Sequence, residues 1–76
     1  MKISGTRSYI LVEFDHRTVK ISGELSTTPV FYADKSSIKN WEPPFNNLKI
    51  TEEEKESIVA AVIEETNGKD MKIIFE

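Results

Sequence analysis

There is no cysteine in these 76 residues, and only three glycines, three prolines, one histidine and one tryptophan. Without cysteine there is no disulfide framework, no thiolate zinc site and no cysteine nucleophile. A lone histidine, His16, cannot pair with a second one on a metal, and any catalytic triad would have to use it. Glycines at positions 5, 23 and 68 leave no glycine-rich phosphate cradle. No run approaches the ~20 apolar residues of a membrane-spanning helix. Met1 to Gly5 has no apolar core of signal-peptide length, so neither membrane insertion nor export is expected. A small chain without disulfides points to a reducing, cytoplasmic setting.

What is present suits a folded chain. Hydrophobic residues make up 38 % and charged residues 30 %, too balanced a mixture for a disordered segment. A length of 76 residues permits a single domain over 1–76, stable by a narrow margin because so short a chain buries only about 60 % of its unfolded surface. The net charge of −3 is unevenly spread: residues 1–41 carry +2 and residues 51–66 carry −5. Such an acidic pole disfavours a polyanion such as nucleic acid and favours a basic protein partner. Its simpler explanation is a solvated helix face.

The pattern reads β-β-β-loop-α-β. In Ser8–Phe14, Ile10, Val12 and Phe14 share one face by the period of two. Asp15-His16-Arg17 is a hairpin connection without the glycine of a confident two-residue turn. Thr18–Leu25 alternates, with Val19, Ile21, Gly23 and Leu25 inward and Thr18, Lys20, Ser22 and Glu24 toward water. Val30–Ala33 is a short third strand. Asp34–Trp41 fits either a helical turn opened by Ser36 or Ser37 or an irregular strand. Pro43-Pro44 ends it, and residues 42–50 form a loop with Asn46-Asn47 at its tip.

The helix has the strongest local signals. Thr51 and Glu54 form a capping box, and Glu52 and Glu53 suit the first turn of the dipole. Ile58, Val59, Val62 and Ile63 make the apolar stripe, with Glu53, Glu54, Ser57, Ala61 and Glu64 opposite. Asn67-Gly68 stops the helix, and Met71–Phe75 is a last strand with Met71, Ile73 and Phe75 on one face. One stripe needs one apolar sheet face, so the expected fold is a two-layer α+β domain: a small antiparallel sheet with one helix packed on one face.

Chemistry is hard to find in this pattern. His16 sits at a hairpin tip with no recognisable nucleophile or pocket, so an enzyme is not expected. Glu52, Glu53, Glu54 and Glu56 point in different directions around a helix and do not converge as metal ligands; no metal and no cofactor are expected. Basic residues near Tyr9, Phe14 and Tyr32 raise nucleic-acid binding as an alternative. That reading requires both the aromatic and the Lys/Arg side chains on the open sheet face. The Trp41-Glu42-Pro43-Pro44-Phe45 segment is either a rigid plug at the edge of the core or a preordered recognition loop.

The segment S-S-I-K-N-W-E-P-P, a polar loop and then I-T-E-E-E-K-E-S-I-V-A-A-V-I-E-E-T resembles a family of small bacterial immunity proteins that accompany polymorphic toxins, including those of contact-dependent growth inhibition. G-T-R-S-Y-I-L-V-E-F-D and V-K-I-S-G-E-L resemble the same group, so the likeness runs from about Ile3 to Phe75, strongest at Ile38, Trp41, Pro43, Pro44 and the capped helix. It implies a cytosolic, non-catalytic antidote for one cognate toxin domain and assigns no catalytic or contact residue. The acidic pole would suit a basic toxin such as a nuclease. The partner-binding candidates are Asp15 and Glu24 on the hairpin, Trp41 and Glu42 in the loop, and Glu53, Glu54 and Glu64 on the helix. The alternative is a small adaptor or regulatory binding domain, with weak nucleic-acid binding as one form of it.

Overall fold

The computed structural model describes residues 2–76. Strands β1 (Lys2–Gly5), β2 (Tyr9–Phe14), β3 (Arg17–Leu25) and β4 (Val30–Ala33) are followed by a 3-10 turn (Lys35–Ser37), helix α1 (Glu52–Thr66) and strand β5 (Lys72–Phe75). The strands lie side by side in chain order. The α+β architecture expected from the periodicities is present. Two features go beyond that expectation. Lys2–Gly5 forms an extra edge strand, which four residues with one large apolar side chain do not announce. β5 pairs with β4 in parallel, so the sheet is mixed and only its first four strands are antiparallel. Parallel neighbours need a long crossover, and the loop and α1 provide it.

The β2–β3 hairpin is tighter than the sequence suggests. Phe14 pairs directly with Arg17, leaving Asp15 and His16 as a two-residue turn. Both sit at positive φ, 53° and 63°, the backbone of a type I′ turn that usually recruits Asn-Gly. Aspartate tolerates this region better than most residues, and histidine is among the few others enriched there.

The inner face of the sheet carries Ile10, Val12, Val19, Ile21, Phe31, Ala33 and Ile73, all buried. α1 covers it with Ile58 and Val62, one turn apart on the same stripe, and Val59 packs at their margin. The expected stripe is too wide by one residue: Ile63 is 49 % exposed. Ala61, expected outside, is half-buried instead. On β5, Ile73 is buried and Phe75 packs against the core, but Met71 lies before the strand and is exposed.

Beyond β4 the ladder beside β3 runs one bond further, from the Asp34 amide to the Ser22 carbonyl at 2.7 Å, and then stops. Asp34, not Ser36 or Ser37, caps the 3-10 turn: its carboxylate accepts from the Ser36 amide at 2.9 Å and the Ser36 hydroxyl at 2.6 Å. These hydrogen bonds, the hydroxyl's first, hold the Asp34 carboxyl below the usual carboxylate range. Ser37 then accepts from the Ser22 amide at 2.9 Å, and the Glu42 amide donates to the Thr18 carbonyl at 2.8 Å. The segment from Ser37 to Glu42 thus lies along the half of β3 that β4 does not reach. Ile38 and Trp41 drop from it into the core.

Candidate functional site

Trp41 is 1 % exposed, the largest fully buried side chain. Of its two sequence readings, core plug or recognition anchor, its position fits the first. Phe45, grouped with it as a plug, is 38 % exposed on the loop beyond. That loop is closed at its base by the Asn40–Lys49 bridge and by the Trp41 amide donating to the Leu48 carbonyl at 3.4 Å. Two successive turns, Glu42 to Phe45 and Phe45 to Leu48, leave Phe45 and Leu48 outward.

Arg17 ties this loop to the hairpin and the helix. Its guanidinium lies 4.4 Å from the centre of the Trp41 ring. It also reaches Glu54 at 3.3 Å and Asp15 at 3.5 Å. Inward-facing Arg17 follows directly from the β2–β3 register, because it pairs with Phe14 on the core side. Three segments distant in sequence therefore meet at one end of the molecule: the hairpin tip, the base of the 41–50 loop and the first turn of α1. Asp15, Glu42, Glu53 and Glu54 all belong to those segments.

Their roles differ. Glu54 completes the capping box, accepting from the Thr51 amide at 3.0 Å while its own amide donates to the Thr51 hydroxyl at 3.1 Å. The Thr51 amide first, and Arg17 after it, hold the Glu54 carboxyl below its usual range. Glu54 is half-buried and engaged within the fold, a second role that the charge pattern alone does not show. Asp15, with a side chain 69 % exposed, and Glu53 keep their carboxylates toward water, and Glu42 is half-buried beside the loop. Glu24 and Glu64 are elsewhere. Glu24 stands opposite Tyr32 near the far end of β3, and Glu64 lies about 15 Å along the helix axis from Glu54 at 1.5 Å per residue. Among the described residues, no three His, Cys, Asp or Glu side chains gather as a metal site.

The outer sheet face has no covering layer. Lys20 lies 4.5 Å over the Tyr9 ring there, and Tyr32 is exposed on the same side, while Phe14 faces inward against the core. Glu13 and Glu24 share that face through their pairings with Thr18 and Tyr32. The requirement for a nucleic-acid surface is met by Tyr9, Tyr32 and Lys20, and opposed by the two glutamates. No helix among the described residues is long and apolar enough to cross a membrane.

Residues 2–76 match the family model of immunity protein 74. No curated protein and no solved structure matches the chain. The match spans nearly the whole sequence, so the chain belongs to the immunity protein 74 family, with the toxin-neutralising role and the toxin partner that this implies.

Proposed function

We propose that this immunity protein acts in the cytoplasm as one domain, binds a single cognate toxin domain and blocks its active surface, as an inhibitor and not as a catalyst. The toxin belongs to a polymorphic system, of which contact-dependent growth inhibition is one form. The observation that carries the surface assignment is the contact of Arg17 with Asp15, Glu54 and the Trp41 ring, which brings the segments bearing Asp15, Glu42 and Glu53 to one end of the molecule. Carboxylates around a loop stiffened by two prolines suit a basic partner surface, the kind a nuclease presents to its polyanionic substrate. Trp41 contributes from below, by fixing the loop, and Glu54 by anchoring the helix. Glu24 and Glu64 fall outside this surface.

Binding kinetics with its cognate toxin domain would test the reading. Asp15→Lys/Glu42→Lys/Glu53→Lys should slow association and weaken protection at low salt. Electrostatic steering carries such rates toward about 10⁸–10⁹ M⁻¹s⁻¹, and added salt removes it. Glu24→Lys/Glu64→Lys should change neither. Equal rates for wild type and the triple variant at both salt concentrations would exclude this surface.

A second reading has its own observation, the Lys20–Tyr9 stack on the uncovered sheet face. It makes the chain an adaptor or regulatory domain with weak affinity for single-stranded nucleic acid. Tyr9→Ala/Lys20→Ala would then lower binding to an oligonucleotide, whereas under the immunity reading the wild type binds none.

A further inference from the structure

At the end of the molecule opposite Arg17, a groove of about 720 Å³ opens between β1 and the C-terminal turn of α1. Its floor is apolar, with Ile3, Leu25, Met71 and Ile73 among its lining residues. Its rim is mostly basic, with Lys2, Arg7 and Lys69 against the single carboxylate of Glu65.

β1 forms one wall of this groove and is the last strand on its side of the sheet. Among the described residues it pairs with β2 alone. The Thr6 amide donates to the Tyr9 carbonyl at 2.8 Å, which fixes the alternation of the ladder. Every second pair is hydrogen-bonded, so Ser4 and Lys2 bond to β2 while the amides and carbonyls of Ile3 and Gly5 point to the open edge. Ile3 and Gly5 also line the groove. The same two residues thus offer unpaired main-chain groups sideways and a passage to apolar surface below.

We propose that this edge and groove receive one extended segment of the toxin, which adds a sixth strand beside β1 and lowers alternate apolar side chains onto Ile3, Leu25 and Met71. Strand addition satisfies main-chain donors and pockets for every second side chain together, which a compact small molecule does not. The basic rim selects a segment with acidic residues flanking the apolar ones. The assignment rests on the toxin-neutralising reading for the identity of the partner, and it is independent of the acidic end.

Amide hydrogen exchange on the full chain, free and bound to its cognate toxin domain, tests this. In the complex, exchange at Ile3 and Gly5 should slow by at least about tenfold, as for newly bonded edge amides. Ile3→Pro removes one edge donor without removing a β2 ladder bond, and edge strands accept proline. It should weaken the complex, with its fold checked by circular dichroism. Arg7→Glu/Lys69→Glu alters exposed side chains only and should weaken binding by about tenfold while leaving the melting temperature unchanged. A tight complex with unchanged exchange at Ile3 and Gly5, and full affinity in the charge-reversed variant, overturns the groove and leaves the immunity reading standing. No complex at all overturns both. Protection of Ile3 and Gly5 that grows with the concentration of the free chain identifies a second copy as the occupant and overturns the assignment to the toxin.

Discussion

Replacing Trp41 by alanine should remove much of the stability of this protein. A side chain of this size takes about 150–250 Å² out of water, about 4–6 kcal/mol at ~25 cal/mol per Å². Truncation to alanine keeps a little of that burial and leaves a cavity, so the expected cost is about 3–5 kcal/mol. For 76 residues, a typical total is about 4–11 kcal/mol. The alanine variant is therefore unfolded at room temperature at the low end of that range and folded with a much smaller margin at the high end, and in either case Arg17 loses the ring it lies against. Phenylalanine separates two components of the effect. The Trp41 Nε1 is buried and finds no acceptor among the described residues. An unpaired buried donor costs about 1–3 kcal/mol, and phenylalanine removes it while keeping an aromatic face under Arg17. Trp41→Phe should thus cost less than about 2 kcal/mol despite the lost volume. Urea denaturation followed by far-ultraviolet circular dichroism suits both variants, since each lacks the only tryptophan. An alanine variant within about 1 kcal/mol of wild type would refute the core assignment. A phenylalanine variant as unstable as alanine would refute the argument from the unpaired donor.

Thr51→Ala should cost about 0.5–2 kcal/mol, measured by thermal melting, because it leaves the Glu54 amide without its acceptor. His16→Gly should leave stability unchanged or raise it by up to about 1 kcal/mol, since relief at φ 63° outweighs the added freedom of the unfolded chain; a clear loss would contradict the turn geometry. Glu54 makes stability depend on acid in one direction. Its folded pKa is lowered, so its contribution is complete above the unfolded value of about 4.3 and is lost as pH falls through the lower folded value. Denaturation between neutral and acid pH should show this decline in wild type and a smaller one in Glu54→Gln.

The elements legible in the sequence were those with strong local signals. The capping box, the Asn67-Gly68 stop and the alternation of Val19, Ile21 and Leu25 each act within a few residues, and each is where the pattern puts it. β1 was hidden because Lys-Ile-Ser-Gly has too few side chains to show a period. The parallel direction of β5 was hidden for another reason: Lys-Ile-Ile-Phe reads alike beside any neighbour, and its direction follows from where the helix ends over the sheet. Helical spacing puts Ile63 beside Val59 and Val62 and so on the inward stripe, yet the helix buries only Ile58 and Val62, a turn apart, and leaves Ile63 at the margin. At the acidic end, composition revealed the charge but not its engagement. Nothing local says that Arg17 turns inward to reach Glu54, 37 positions away in the chain. That contact follows from the hairpin register, which a turn without glycine concealed.

The parallel pairing of β4 with β5 sets a clock on the maturation of this protein. Phe31 is buried in the core and pairs with Ile73, and the two leave the ribosome at very different moments. At synthesis rates of about 5–20 residues per second, roughly 2–8 s separate them. The β1–β2–β3 meander can zip up during that interval from neighbouring residues, but the edge of β4 and the ring of Phe31 wait uncovered. A chain that must already be folded when a toxin arrives therefore gains from being made in advance and held in excess, since the step that completes its sheet comes last.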